Sequence, residues 1–284
     1  MHLTFSKQIA AVIVCFFSAC VLFAEPELSD FDLKMMDGIS EFRLSLGLSS
    51  TCAEAVSKID EYHAIVNDAD VSSRLSDEIL LSINNILVWE KYNYLYEEDI
   101  AHPDLEPLIK GQYEVVKKFF KEHKKEKHSK WLYTTSGDIL SCCMQFLPLT
   151  TAMHEGLTIK KYYDDGLEQD PDFVFCLINI AQWYFYAPVI NGGGHGKAVA
   201  TLEHAVNASK SVPELFYSKV LLSQALFEDK QYDACAALLS EADGLYPGTR
   251  CVAFYRRINK IGHSYFDYTL NRKKVDKKLA KEGV

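Results

Sequence analysis

The residues best equipped for chemistry stand together at Asn191-Gly192-Gly193-Gly194-His195-Gly196-Lys197-Ala198. A glycine run closed by a lysine can cradle a phosphate, because bare backbone amides and one ammonium converge on the anion. A nucleotide loop of that kind needs glycine at its first place, Ser or Thr at its last to hold magnesium, and a strand before it. Here Asn191 and Ala198 fill those two places and the run follows a helix, so nucleotide binding is set aside. Two readings are left: an anion-friendly concavity ahead of a helix, or a turn whose glycines supply positive φ. Immediately upstream come Trp183, Tyr184, Phe185 and Tyr186. Four successive rings on a helix cannot all enter one core, so at least one must line a groove or the surface. The candidate binding residues are therefore Trp183, Tyr184, Tyr186, Asn191, Gly192, Gly193, Gly194, His195 and Lys197.

Other chemistry is thin. His154-Glu155 lacks the second histidine of a zinc helix, His195 and His204 are too far apart to share a helix face, and no Gly-x-Ser-x-Gly elbow occurs. The chain is read as non-catalytic, with no cofactor and no metal.

The elements that must hold the loop lie in residues 171–247. Leu177, Ile180, Ala181 and Tyr184 make one helical stripe, and Ala198, Leu202 and Ala205 make its partner. A second pair follows in Leu222, Ser223, Leu226, Tyr232, Cys235, Leu239, Ala242 and Pro247, while Pro171 closes the unit before the first. Two helices cross closely only where a side chain is nearly absent, so small residues mark the crossings and large ones flank them. This order of small, large, aromatic and proline resembles the tetratricopeptide repeat, whose helical hairpins recur about every 34 residues. The first copy is longer than the repeat by about five residues, and the excess falls in the glycine turn. The resemblance implies an all-α, tetratricopeptide-like α-solenoid that binds a protein or peptide partner on its concave face without catalysis. The elongated hairpin is similar to that of exported bacterial members, among them companions of TRAP-type solute transporters. A transporter component is thus one implied partner, and a transporter-accessory or small-ligand-binding protein is the alternative reading.

Length and composition fit that picture. A chain of 284 residues with 48% hydrophobic content can bury a sizeable core, and a net charge of −9 argues against nucleic acid as a partner. Residues 1–24 read as a signal peptide: Lys7, an apolar run over 9–23, then Ala24. The run is too short to span a bilayer comfortably, so cleavage would leave an exported, periplasmic protein. Alternatively Phe17-Ser18-Ala19-Cys20 is similar to a relaxed lipobox, and lipidation of Cys20 would be the one route to the membrane. If the exported chain holds a disulfide, Cys235 with Cys251 is the expected pair, since the second cysteine opens the helix that should stack on the first.

Taken in order, helical stripes predict helices over 30–46, 52–66, from Ser76 to Asp99, and over 105–127. Thr51-Cys52-Ala53-Glu54 has the form of a capping box. The lysines of 117–130 read as a solvated helix end complementing the dipole rather than a basic docking patch. These segments form an N-terminal helical region over 25–130, continuous with the repeats of 131–284. A looser pair fills 131–167. Phe254, Ile258, Ile261, Tyr265 and Tyr268 form one apolar stripe, read as a single helix capping the open end of the stack. The lysine-rich tail after Asn271 offers only Val275 and Leu279 for docking.

Overall fold

Helix starts in this chain are written largely in hydroxyl side chains. In the computed structural model, which describes residues 26–282, Ser29, Thr51, Ser76, Ser129 and Ser211 each accept a hydrogen bond from a first-turn amide of the helix that follows. Such a cap satisfies an otherwise orphaned donor and stabilises its helix by about 1 kcal/mol. Among the described residues there are thirteen α-helices and no strand. They are α1 Asp30–Leu46, α2 Cys52–Val66, α3 Ala69–Ser72, α4 Asp77–Glu98, α5 Leu105–Glu122, α6 Lys130–Cys143, α7 Leu149–Gln169, α8 Val174–Tyr186, α9 His195–Ala208, α10 Val212–Glu228, α11 Tyr232–Leu245, α12 Arg250–Lys260 and α13 Tyr265–Glu282. At Thr51 the cap differs from the box expected. The threonine does accept from the Glu54 amide, but the Glu54 carboxylate turns one residue further back to the amide of Ser50, at 2.7 Å.

Neighbouring helices pack in pairs, and the crossings fall on small residues. Ala181, Ala198, Ala205, Cys235 and Ala242 are all buried between helices. The pair α6/α7, whose pattern is weak in sequence, uses glycine instead. A Cβ added at Gly137 would lie 2.7 Å from the Tyr163 ring, and one added at Gly166 would lie 3.0 Å from Thr134 Oγ1. The core is continuous: one cluster runs from Leu81 and Tyr92 of α4 through α5, α6 and α7 to Ile180 of α8, across residue 130.

The end of the chain departs from the expected single capping helix. After Ile261 the backbone turns at Gly262, whose φ of +84° is a left-handed conformation that favours glycine at a helix end. Ser264 then accepts from the Asp267 amide at 2.9 Å and starts a new helix. That helix, α13, does more than cover an exposed end. Phe266 stacks on Phe185 of α8 with ring centroids 3.9 Å apart, Val275 and Leu279 sink into the cluster around Ile261, and Arg272 donates to the carbonyl of Glu97 at the end of α4, at 2.6 Å. From the other side the Arg250 amide donates to the Gly47 carbonyl at 2.9 Å, and Leu44 of α1 shares a cluster with Phe216 and Val252. Segments far apart in the chain therefore meet: the turn after α1 touches the start of α12, and the end of α4 touches α13.

The six cysteines among the described residues are free thiols. The expected Cys235–Cys251 bridge is not formed. Cys235 Sγ faces Asn259 Oδ1 at 3.4 Å, while Cys251 Sγ faces Thr249 Oγ1 at 3.6 Å. No helix among the described residues is long and apolar enough to cross a membrane. The signal segment, with Cys20, lies outside the described residues.

Candidate functional site

The glycine turn is built as a connector. Its amides are already committed: Gly192 donates to the Val189 carbonyl at 2.9 Å, Gly193 to Pro188 at 3.2 Å and Gly194 to Tyr184 at 2.8 Å. Three amides bonded to backbone carbonyls are not free to gather an anion, so of the two readings left by the sequence the geometry is that of the turn. Each glycine that matters has a steric reason. Gly192 and Gly194 have φ of +89° and +147°, and a Cβ on Gly193 would lie 1.9 Å from the Ala187 carbonyl oxygen. Lys197 reaches back to the Gly192 carbonyl at 2.9 Å and lies over the Tyr184 ring, closing the turn. His195 sits edge-on to Phe185 with Nε2 2.7 Å from Asp229, the residue that ends α10. Asn191 ends the short 3-10 turn Val189–Asn191 and is exposed.

The four rings divide between two neighbours. Trp183 donates from its indole to the Gly156 carbonyl of α7 at 3.1 Å, and Tyr184 packs with it against the α4–α8 cluster. Phe185 and Tyr186 turn the other way, onto α13: Phe185 stacks on Phe266, and the Tyr186 hydroxyl lies 2.6 Å from Thr269 Oγ1. Of the four rings Tyr186 is the most exposed, with 42% of its surface accessible. Burial nonetheless raises its phenol well above the ordinary value, with Tyr265 adding to the shift. Tyr265, pushed up to about 12 by burial, interacts electrostatically with Cys142 of α6 and Tyr96 of α4, and Tyr255 of α12 interacts with both Tyr265 and Tyr186. Ring contacts run from Tyr186 of α8 through Phe266 and Tyr265 of α13 to Tyr255 of α12, and burial keeps these phenols protonated and neutral through the physiological range.

Deeper on the same inner side lies a polar knot that the sequence did not mark. Arg43 of α1 donates from Nε to Glu90 of α4 at 2.6 Å. Its guanidinium is enclosed by the rings of Trp89 at 5.0 Å, Phe175 at 4.9 Å and Tyr217 at 5.3 Å. Asp138 of α6 lies alongside, accepting from the Tyr163 hydroxyl at 2.8 Å and from Asn179 Nδ2 at 3.0 Å. Desolvation raises the Asp138 pKa to about 7, against the lowering effects of the Tyr163 hydrogen bond and of Arg43. Arg43 is the residue whose partners no local pattern could supply, because Glu90, Phe175 and Tyr217 all come from other helices.

A third feature lies outside. Leu149, Met153 and Leu157 repeat every four residues along one face of α7, and Val189 and Ile190 form the tip of the loop after Pro188; all five are between 53% and 93% exposed. α7 meets the loop region through Lys160, close to Gly192, and through Gly156, which accepts from Trp183. Among the described residues no cluster of His, Cys, Asp and Glu could hold a metal ion. No protein-family model and no curated protein matches this chain.

Two predictions follow from this geometry. Asp138 has a folded pKa above its unfolded value, so the folded state binds the extra proton and stability should fall as pH rises from about 4 to about 7. Urea unfolding of Asp138→Asn across that range should show most of this slope removed. Gly193→Ala should lower the melting temperature by several degrees because the new Cβ meets backbone, whereas Gly196→Ala, with nothing within 4 Å, should leave it unchanged or slightly raised.

Proposed function

We propose that this chain is an exported, tetratricopeptide-like interaction module of the bacterial envelope that works by holding a protein partner rather than by catalysis. The observation that carries this reading is the exposure of large apolar side chains at Leu149, Met153 and Leu157 along one face of α7 and at Val189 and Ile190 in the loop after α8. Large aliphatic side chains gathered on one exposed face cost solvation free energy of roughly 25 cal/mol per Å², and contiguous patches of this kind mark interaction sites. The packing of small residues at the crossings supports helical-repeat architecture. The inner face, by contrast, is filled by Arg43 from α1 and Phe266 from α13, which argues against an extended peptide lying along it. The partner is accordingly placed on the edge formed by α7 and the loop after α8, beside the residues first singled out, and a transporter component in the same compartment fits this role.

A specific observation favours a second reading. The partly exposed Tyr186, whose ring meets Phe266 beside Tyr265, offers an aromatic surface and a neutral phenol to a small solute. Under that reading the protein is a transporter-accessory binder, and a small molecule should raise its melting temperature.

The first reading is tested with the purified protein immobilised over envelope extract, comparing the native chain with Met153→Asp and Ile190→Asp. Both positions are exposed, so the variants should melt within about 2 °C of the native protein. A stoichiometric partner retained by the native chain should fall at least tenfold with either variant. Equal retention by all three would refute docking at this edge.

A further inference from the structure

The region of α12 and α13, like the lysine-rich stretch 117–130, is basic in a net-acidic chain. Residues 250–284 contain ten Lys and Arg against three Asp and Glu, in a chain whose net charge is −9. Five of the lysines, Lys273, Lys274, Lys277, Lys278 and Lys281, are exposed on α13, while Val275 and Leu279 dock it. Beside this basic layer α11 and α12 diverge around a cleft of about 430 Å³. Its floor is apolar, made by Phe227, Tyr232 and Leu239, and Tyr232 leaves 54% of its surface uncovered. Its rim carries Arg256 and Lys260. The Lys278 ammonium is anchored on the Ile261 carbonyl, next to Gly262 at the same mouth.

The polar groups in the cleft divide into committed and available. Asn259 gives its amide hydrogens to Gln224 Oε1 at 3.0 Å and to the His263 carbonyl at 2.9 Å, and it receives from Gln224 at 3.1 Å, so it belongs to the scaffold. Arg256 shares one carboxylate, Asp243, at 2.7 Å, and remains about half exposed. The cations at the rim, with an exposed ring below them, are what a visitor would meet.

We propose that this cleft docks an acidic, partly apolar peptide segment of a partner protein, with an aliphatic or aromatic side chain on the Tyr232–Leu239 floor and carboxylates at Arg256 and Lys260. The site lies on different helices from the α7 patch and does not depend on it. Charge complementarity selects the occupant: a basic rim on an otherwise acidic protein draws an acidic segment and orients it. A bilayer is the weaker candidate because a flat surface cannot enter a concave cleft, and the acidic body would be repelled by anionic lipid.

The test is fluorescence anisotropy of the purified protein with labelled twelve-residue peptides of repeating Leu-Glu-Glu, and with their Leu-Gln-Gln and Leu-Lys-Lys counterparts. The glutamate peptide should bind at least about fivefold more tightly than the glutamine peptide, and raising salt from 15 to 150 mM should weaken it. Lys260→Glu and Tyr232→Ala should each reduce binding severalfold, and Asp243→Asn, which frees Arg256, should strengthen it. Lys260→Gln serves if Lys260→Glu melts early. Equal affinity for the glutamate and glutamine peptides, no detectable binding of the glutamate peptide, or indifference to all three cleft variants would overturn the proposal. So would phosphatidylglycerol vesicles binding through Lys260 while the peptide does not, which would assign the rim to a membrane surface.

Discussion

Most of the architecture depends on one buried ion pair. A guanidinium taken from water into a protein interior is costly unless a carboxylate and further polarisable groups receive it, and removing one member of such a pair typically costs about 3–5 kcal/mol. Arg43 finds Glu90 on α4 and the faces of Trp89, Phe175 and Tyr217 on α4, α8 and α10. Those partners come from separate helices, so the pair can be satisfied only when α1 is packed together with α4, α8 and α10. Cation–π contacts of this kind strengthen as water is excluded, which ties the closure of the inner face to its own stability. Asp138, Asn179 and Tyr163 extend the same polar knot through α6, α7 and α8.

Once α1 is committed to the inner side, the remaining contacts follow a consistent geometry. Gly47 meets Arg250, Glu97 meets Arg272, and Phe266 fills the space beside Phe185. A stack of hairpins in which each unit touches only its neighbours has two free ends and an open groove. Here α12 and α13 also touch the turn after α1 and the end of α4, and what is left uncovered is a set of apolar side chains on α7 and the loop after α8, the ring of Tyr186 and a basic cleft. Each suits a different ligand class: a protein surface, a small neutral solute and an acidic segment.

Much of the helical layout was legible because its causes are local. Ser29, Ser76 and Gly47 mark helix ends through hydrogen bonds or turns only a few residues long, and Ala181, Ala205 and Ala242 mark crossings because a close approach tolerates little else. The failures share a different cause. The glycine run left a turn and an anion concavity both open, because glycine identity does not disclose where the amides point, and here they point to Val189, Pro188 and Tyr184. The stripe from Phe254 to Tyr268 looked continuous because a break at Gly262 preserves its spacing by coincidence. The inner knot was invisible: Arg43 sits among apolar residues on α1, and nothing within a helical turn indicates that Glu90 and Tyr217 will surround it. Closure is a property of pairs far apart in the chain, such as Arg250 with Gly47, and single-segment patterns carry no trace of them.

Small-angle X-ray scattering on the chain from residue 26 onward tests the joined-end architecture most directly. A closed body of this length should have a radius of gyration of about 18 Å and a symmetric, single-peaked pair-distance distribution. A markedly larger radius with the long, skewed distribution of an elongated rod would mean that the ends are apart and the inner face is open, contradicting the account.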